Sequence, residues 1–303
     1  DAAQTVGRAS RSTRVERLAG SPGARFIALD GGHLTLRDMT IASFTSDVNE
    51  PNRDGGAIRS WGDLTVEACY FEGNRAHENG GAIAHEGGTM IVRRTHFRSS
   101  HAGLGGAIYA GAGTTLIAES TFEGGWATQG GAIAIEEFAQ GSIDRSSFAD
   151  NSATVNGGAL WIQRPALLSN STFFANHARL HGGAIYFADG PSSPDGPLRI
   201  FNSTIAGNDS NSEQGFDGGE GGGVYSYFSS VEISNSILSR NWEWVSDGVC
   251  CFEPYFLECR GSFQSNGFNI VQALDGNCIV AGAESNADPL LQAPAFHGGP
   301  TPT

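Results

Sequence analysis

Two glutamates and a set of aromatic residues are the positions in this chain whose types and spacing could do chemistry. Glu86 and Glu136 occupy the same place in a 25-residue sequence period, two periods apart, with Gly111 at the equivalent place between them. If successive periods stack at the ~4.8 Å of neighbouring strands, the two positions lie ~9.6 Å apart. That is near the upper end of the separation at which an inverting glycosidase holds an acid and a base around a water. Tyr109, Trp161, Tyr186 and Tyr225 fall in the column two residues earlier, with Arg59, Ala84 and Ala134. Rings on a flat outward face suit stacking on sugars, and they also stabilise a sheet with no ligand bound. Two acids in an acidic chain often align by chance. The reading therefore leans away from an enzyme and assigns no catalytic residue; Glu86 and Glu136 stand as the catalytic alternative to a binding face.

Other chemistries find less to work with. All 18 basic residues are Arg, so the amine chemistry of Lys is absent, and a β-helical lyase would have to take its base from Arg59 or Arg164. His77, His101, His177 and His181 lie in polar stretches just before a Gly-Gly pair. The acids between Asp195 and Glu220 lack the ligand spacing of a calcium loop. No metal and no cofactor is expected. The net charge of -14 argues against nucleic acid or an anionic membrane as partner. No apolar run reaches the 18 residues of a membrane span.

The element that must position these residues is the repeat itself. Gly-Gly-Ala-Ile begins at Gly55, Gly80, Gly105 and Gly130, returns as Gly-Gly-Ala-Leu at Gly157 and as Gly-Gly-Ala-Ile at Gly182, and weakens to Gly-Gly-Gly-Val at Gly221. A fixed period of this size marks a solenoid, in which one unit cannot bury its apolar face without its neighbours. Each unit reads as three short strands. A strand of the Ala-Ile type comes first, then one such as Leu64-Thr65-Val66, then one such as Ser120-Thr121-Phe122. Helical periodicity is absent. The fold expected is all-β: a right-handed parallel β-helix with three strands per coil of about 25 residues, its hand taken from the general crossover preference.

Stacking converts sequence columns into ladders. Ile58, Ile83, Ile108, Ile133, Leu160, Ile185 and Val224 form one inward column, and Phe71, Phe97, Phe122, Phe148 and Phe173 a second. Asn74, Asn151, Asn176, Asn208 and Asn241 each follow the third strand by three residues and read as a corner ladder. Asn170, Asn202 and Asn208 also sit in Asn-x-Ser/Thr triplets, which leaves glycosylation open. The glycine pairs are expected where φ is positive or where the next coil comes too close for a Cβ. Residues 1–24 read as a lead-in or incomplete first coil, 25–241 as the coils, and 242–303 as a cysteine-containing C-terminal part and cap. Residues 1–17 are polar and unlike a signal peptide, so the expectation is a removed leader or a fragment.

Gly-Gly-Ala-Ile/Leu alternating with Phe-x-x-Asn, as in Phe71 to Asn74, Phe148 to Asn151 and Phe173 to Asn176, resembles the passenger repeats of the polymorphic outer-membrane proteins, which are exported adhesins. Towards the C-terminus, Asn266-Gly267-Phe268-Asn269-Ile270, Gly276-Asn277-Cys278, Asp288-Pro289-Leu290-Leu291 and Gly298-Gly299-Pro300 resemble the closing coils of choice-of-anchor Q β-helix proteins. This resemblance implies an extracellular, surface-attached solenoid and pairs Cys259 with Cys278. Cys250 and Cys251 are adjacent and could bond each other or other partners, while Cys69 reads as a buried free thiol. The function expected is a non-catalytic surface protein, acting as adhesin, spacer or assembly subunit with a glycan or protein ligand. The alternatives are a carbohydrate-active enzyme on the same scaffold and self-assembly through the open ends of the solenoid.

Overall fold

The computed structural model describes residues 4–6, 13–17, 25–46, 53–188, 196–211, 219–246, 252–272, 278–281, 284–285 and 288–291. Among the described residues there is no helix, and the strands form sheets of 16, 11 and 6 members. The chain visits these sheets in turn and returns one coil further on. Its pairings are parallel and in register, Ile58 to Ile83 to Ile108 to Ile133 to Leu160 to Ile185 to Val224. A parallel β-helix is the result. The first and second strands of each coil both lie in the largest sheet, and in three coils they fuse, as Ile108–Ala118, Ile133–Asp144 and Val224–Ser234. The three-strand layout read from the sequence is thus not uniform.

The glycine pair divides two duties between its members. The first has a left-handed backbone, with φ of +61° to +63° at Gly80, Gly105 and Gly130. The second has no room for a side chain: a Cβ on Gly106 would stand 2.0 Å from the carbonyl oxygen of Gly131 in the next coil. Just beyond, the Ala and Ile of the motif are buried at or near zero exposure and enter the core.

The inward Phe column stacks face to face. Centroids of Phe71, Phe97, Phe122, Phe148 and Phe173 follow one another at 4.7 to 4.9 Å with interplanar angles of 12° or less. Two polar ladders run beside it. In one, Asn151 Nδ2 donates to Asn176 Oδ1, Asn176 to Asn208, and Asn208 to Asn241, at 2.8 to 2.9 Å. In the other, the backbone N–H of Ser120, Ser146, Ser171 and Ser203 each donates to the hydroxyl one coil on. Asn208 is fully buried in its ladder, so its triplet is closed to glycosylation; Asn170 and Asn202 are exposed.

The aromatic stretch after Asn241 forms a hairpin. Trp242–Ser246 joins the smallest sheet in parallel and then pairs antiparallel with Phe252–Phe256, the single antiparallel pairing among the described strands. Cys250 and Cys251 lie outside the described residues. Cys259 and Cys278 form a disulfide. Cys69 is buried and free, and burial pushes its thiol up to about 11. Replacing Phe122, which has a stacked ring on both sides, by Ala is expected to cost about 3–5 kcal/mol. Denaturant unfolding monitored by circular dichroism checks this, and a loss under about 1 kcal/mol would mean that the column is not what holds the coils together.

Candidate functional site

The site is built on the first strand of each coil, where a buried aliphatic residue alternates with one that points away from the core. That outward column is Arg59, Ala84, Tyr109, Ala134, Trp161, Tyr186 and Tyr225, none of which belongs to the core cluster. Ala84 and Ala134 flank Tyr109 in register, and their small size gives the ring its place. Gly111, two residues on, completes the notch. A Cβ there would lie 2.5 Å from Glu86 Oε2, 2.8 Å from Tyr109 Cε1 and 3.1 Å from Tyr109 Oη. The missing side chain is therefore filled from two directions, by the Glu86 carboxyl and the Tyr109 ring.

Glu136 reaches the same face through a bulge. Ala110 pairs with Ile135, but Ala112 pairs with Phe138, so Glu136 and Glu137 together oppose Gly111. The extra residue swings Phe138 into solvent, where it is 73 % exposed. Asp54 and Arg59 complete the group. Asp54 accepts from the Asn79 backbone N–H at 3.0 Å. Arg59 Nη2 donates to Asp30 at 3.1 Å, while its Nε is buried with no hydrogen-bond partner among the described residues.

The electrostatics follow from crowding acids in a half-buried notch. Burial pushes Glu86 up to about 7, the charges of Asp54 and Glu136 add to the rise, and Arg59 opposes it. Glu136 is raised by burial and then by Glu137. Asp54 is raised by burial and by Glu78, against Asn79, Arg25 and Arg59. The Tyr109 phenol is raised by burial and by the charges of Glu136, Glu86 and Asp54. Near neutral pH the notch therefore holds a glutamate that can give or take a proton, beside a neutral phenol.

The outward aromatic column is covered more than its alternation implies. Trp161 is 6 % exposed and Tyr225 9 %, with Tyr109 and Tyr186 half-buried. Tyr225 packs in a cluster of rings, 5.4 Å from Tyr186 and 4.6 Å from His181, which are 6.5 Å from each other. Four open rings stand further along, at the corner after the first strand, Trp61 53 %, Tyr227 46 % and Phe228 82 % exposed, with Phe138 in the same corner, while Trp126, Phe256 and Phe268 are exposed on other parts of the coils. Trp61 and Tyr227 were legible as members of the Glu86 and Glu136 column. Phe138 and Phe228 were not, because the bulge and the fused strands put them outside the 25-residue period.

The remaining candidates do not converge on the notch. Arg164 lines a cleft of about 570 Å³ with Gln140, Leu167, Arg199 and Phe201, and neither glutamate lines it. His101 stacks on Trp126 at 4.1 Å, and His177 Nδ1 meets Asp209 at 2.7 Å. Among the described residues no group of three His, Cys, Asp or Glu is placed to hold a metal ion, and no helix is long and apolar enough to cross a membrane.

Comparison with known proteins places two stretches, residues 68–86 and 145–163, within the Chlamydia polymorphic membrane protein repeat. No curated protein and no solved structure matches the chain. The two stretches are in phase. Each starts before a third strand, passes the ladder Asn (Asn74 or Asn151) and the glycine pair, and ends just after a first strand, at Glu86 or Gln163. The similarity is thus carried by scaffold residues. It does not reach the C-terminal stretch on which the choice-of-anchor Q resemblance rests.

Because Glu136 adds to the rise of Glu86, Glu136→Gln is expected to lower the Glu86 pKa. A carbon-13 titration of the glutamate side-chain carboxyls reads this directly, and an unchanged Glu86 midpoint would show that the two acids do not share a field.

Proposed function

We propose that the chain is part of a surface-displayed passenger of the polymorphic membrane protein type, acting as an extracellular adhesin that binds an elongated glycan along one corner of the solenoid. The observation that carries this reading is the placement of exposed rings. Trp61, Phe138 and Tyr227 with Phe228 stand at one corner in the first, fourth and seventh Gly-Gly coils, three coils or ~14 Å apart at the interstrand spacing. Large exposed rings cost solubility unless a ligand covers them, and flat rings flanked by carboxyls suit the C–H faces and hydroxyls of sugars. The repeat similarity supports the cellular setting. The half-buried Tyr109 and Tyr186 serve in this reading as the bed under the corner, and Trp161 and Tyr225 as its support.

A second reading rests on the notch. A glutamate brought to about 7 with a second carboxyl on the same face supplies the acid and base candidates of a glycoside hydrolase, although burial raises Glu136 as well. Glu86 would protonate the leaving oxygen and Glu136 would activate water, with the two-coil spacing favouring inversion. Activity would then fall as pH rises through about 7, because the acid form of Glu86 is lost.

A glycan array followed by an activity screen on the bound glycans separates the readings. Trp61→Ala and Phe138→Ala are each expected to weaken glycan binding about tenfold or more, on the scale of one or two lost ring contacts. Unchanged affinity in both would remove the corner as a binding surface. Turnover that disappears in Glu86→Gln with binding retained would replace the adhesin by the enzyme.

A further inference from the structure

The Asn ladder has a direction, and its last rung is not an asparagine. From Asn151 on, each Asn donates its own backbone N–H and one Nδ2 hydrogen to the Asn one coil towards the C-terminus, and its other Nδ2 hydrogen to a carbonyl of the coil before, so Asn241 needs an acceptor with no further Asn to supply it. Glu258 supplies it. Its Oε2 accepts from the Asn241 backbone N–H at 3.2 Å and from Asn241 Nδ2 at 2.5 Å. Glu258 does so from the Ala column of the repeat motif: it precedes Cys259, which pairs with Val224, as Ala57 precedes Ile58. The coil below makes room by carrying Gly223 there, where a Cβ would lie 3.0 Å from the Asn241 carboxamide.

The cost of this arrangement sits on the other oxygen. Glu258 is 0 % exposed, and its Oε1 has no hydrogen-bond partner among the described residues. Among the described residues no cation is paired with it. Arg240 directs its guanidinium to Asp288 at 3.2 Å, and Arg260 pairs with Glu220 at 2.8 Å. On the neighbouring elements the other titratable groups are Glu243, 8 % exposed on Trp242–Ser246, Tyr225, Tyr227 and Glu232 on Val224–Ser234, with Glu232 paired to Arg199 at 3.0 Å, and Glu253 and Tyr255 on Phe252–Phe256. Cys259 is held in its disulfide with Cys278.

We propose that Glu258 is a protonation-controlled latch on the C-terminal coils, closed while its carboxyl is neutral and loosened when it ionises. In the neutral form Oε1 carries the proton and Oε2 still accepts both Asn241 donors, so the ladder is terminated without a buried charge. In the ionised form the same contacts hold an uncompensated anion in the interior. Burial accordingly pushes Glu258 up to about 7, against the pull of the Asn241 side chain and the backbone amides of Asn241 and Arg240. The folded value lies above the unfolded one, so the stabilisation is complete below about 4.5 and is lost as pH rises through about 7.

Amide hydrogen exchange on the whole chain, corrected for intrinsic rates, tests the latch. Between pH 5.5 and 8.5, opening of the Val224–Val271 coils is expected to increase on the order of tenfold to a hundredfold, while the coils from Ile83 to Glu123 serve as an internal reference. Glu258→Gln keeps an acceptor for Asn241 but cannot ionise, and is expected to flatten that difference. Equal opening at both pH values in the parent chain, or the same difference persisting in the Gln variant, would overturn the proposal. If the variant does not fold, the Glu258 midpoint by carbon-13 titration of the parent chain decides: a value near 7 tracking the exchange upholds the latch, and one below about 5 refutes it.

Discussion

Each coil crosses the next at the second glycine of its pair with the two backbones in contact, and the rest of the molecule depends on that approach. A Cβ at Gly81, Gly106, Gly131, Gly158 or Gly183 would meet the next coil's carbonyl oxygen at 2.0 to 2.2 Å. With the coils pinned there, residues of the same phase are forced into register across three sheets. Phenylalanines then meet face to face, asparagines find an asparagine ahead, and hydroxyls find a backbone N–H behind. None of these ladders could be built on coils that slipped by one residue, since a slip exchanges inward for outward positions.

Much of this scaffold was legible because it is periodic. The aliphatic column, the Phe column and the Asn ladder could be listed from spacing alone, and the glycine pair announced a close approach or a left-handed turn. The structure shows one of each, in a fixed order. What periodicity could not give was the state of the corners. The fused strands at Ile108–Ala118 and Ile133–Asp144 pair around an added residue opposite Gly111, and a bulge has no column to be read from. The ends of the ladders were also hidden. Glu258 stands where the motif has Ala, and Asn269 accepts from Ser236 where the other rungs have a hydroxyl. Only the direction of the hydrogen bonds explains either substitution.

The notch around Glu86 was legible in part. The shared column of Glu86, Gly111 and Glu136 could be named from the sequence. That Tyr109 lies down over Gly111, and that Asp54 and Arg59 enter the same field, required the coil geometry. The aromatic column shows the opposite failure. Alternation gives the direction of a side chain but not its cover, and Trp161 and Tyr225 point away from the core while being almost wholly enclosed. The repeat similarity cuts across both cases, because its two segments trace the parts that stack and end where the chemistry would begin.

The fixed direction of the Asn-to-Asn bonds along the ladder has a bearing on how such a chain changes length over generations. An interior rung presents the same acceptor to the coil before it and the same donors to the coil after it. A whole coil can therefore be gained or lost by unequal recombination at any point between Asn151 and Asn241 without disturbing the hydrogen bonding on either side. The last rung is exempt from that freedom, because the glutamate that closes the ladder can stand nowhere but at the end. The hydrogen bonding of the ladder thus leaves coil number free while it fixes the terminator, and duplication adds corners, with whatever rings and carboxyls they carry, without requiring a new cap.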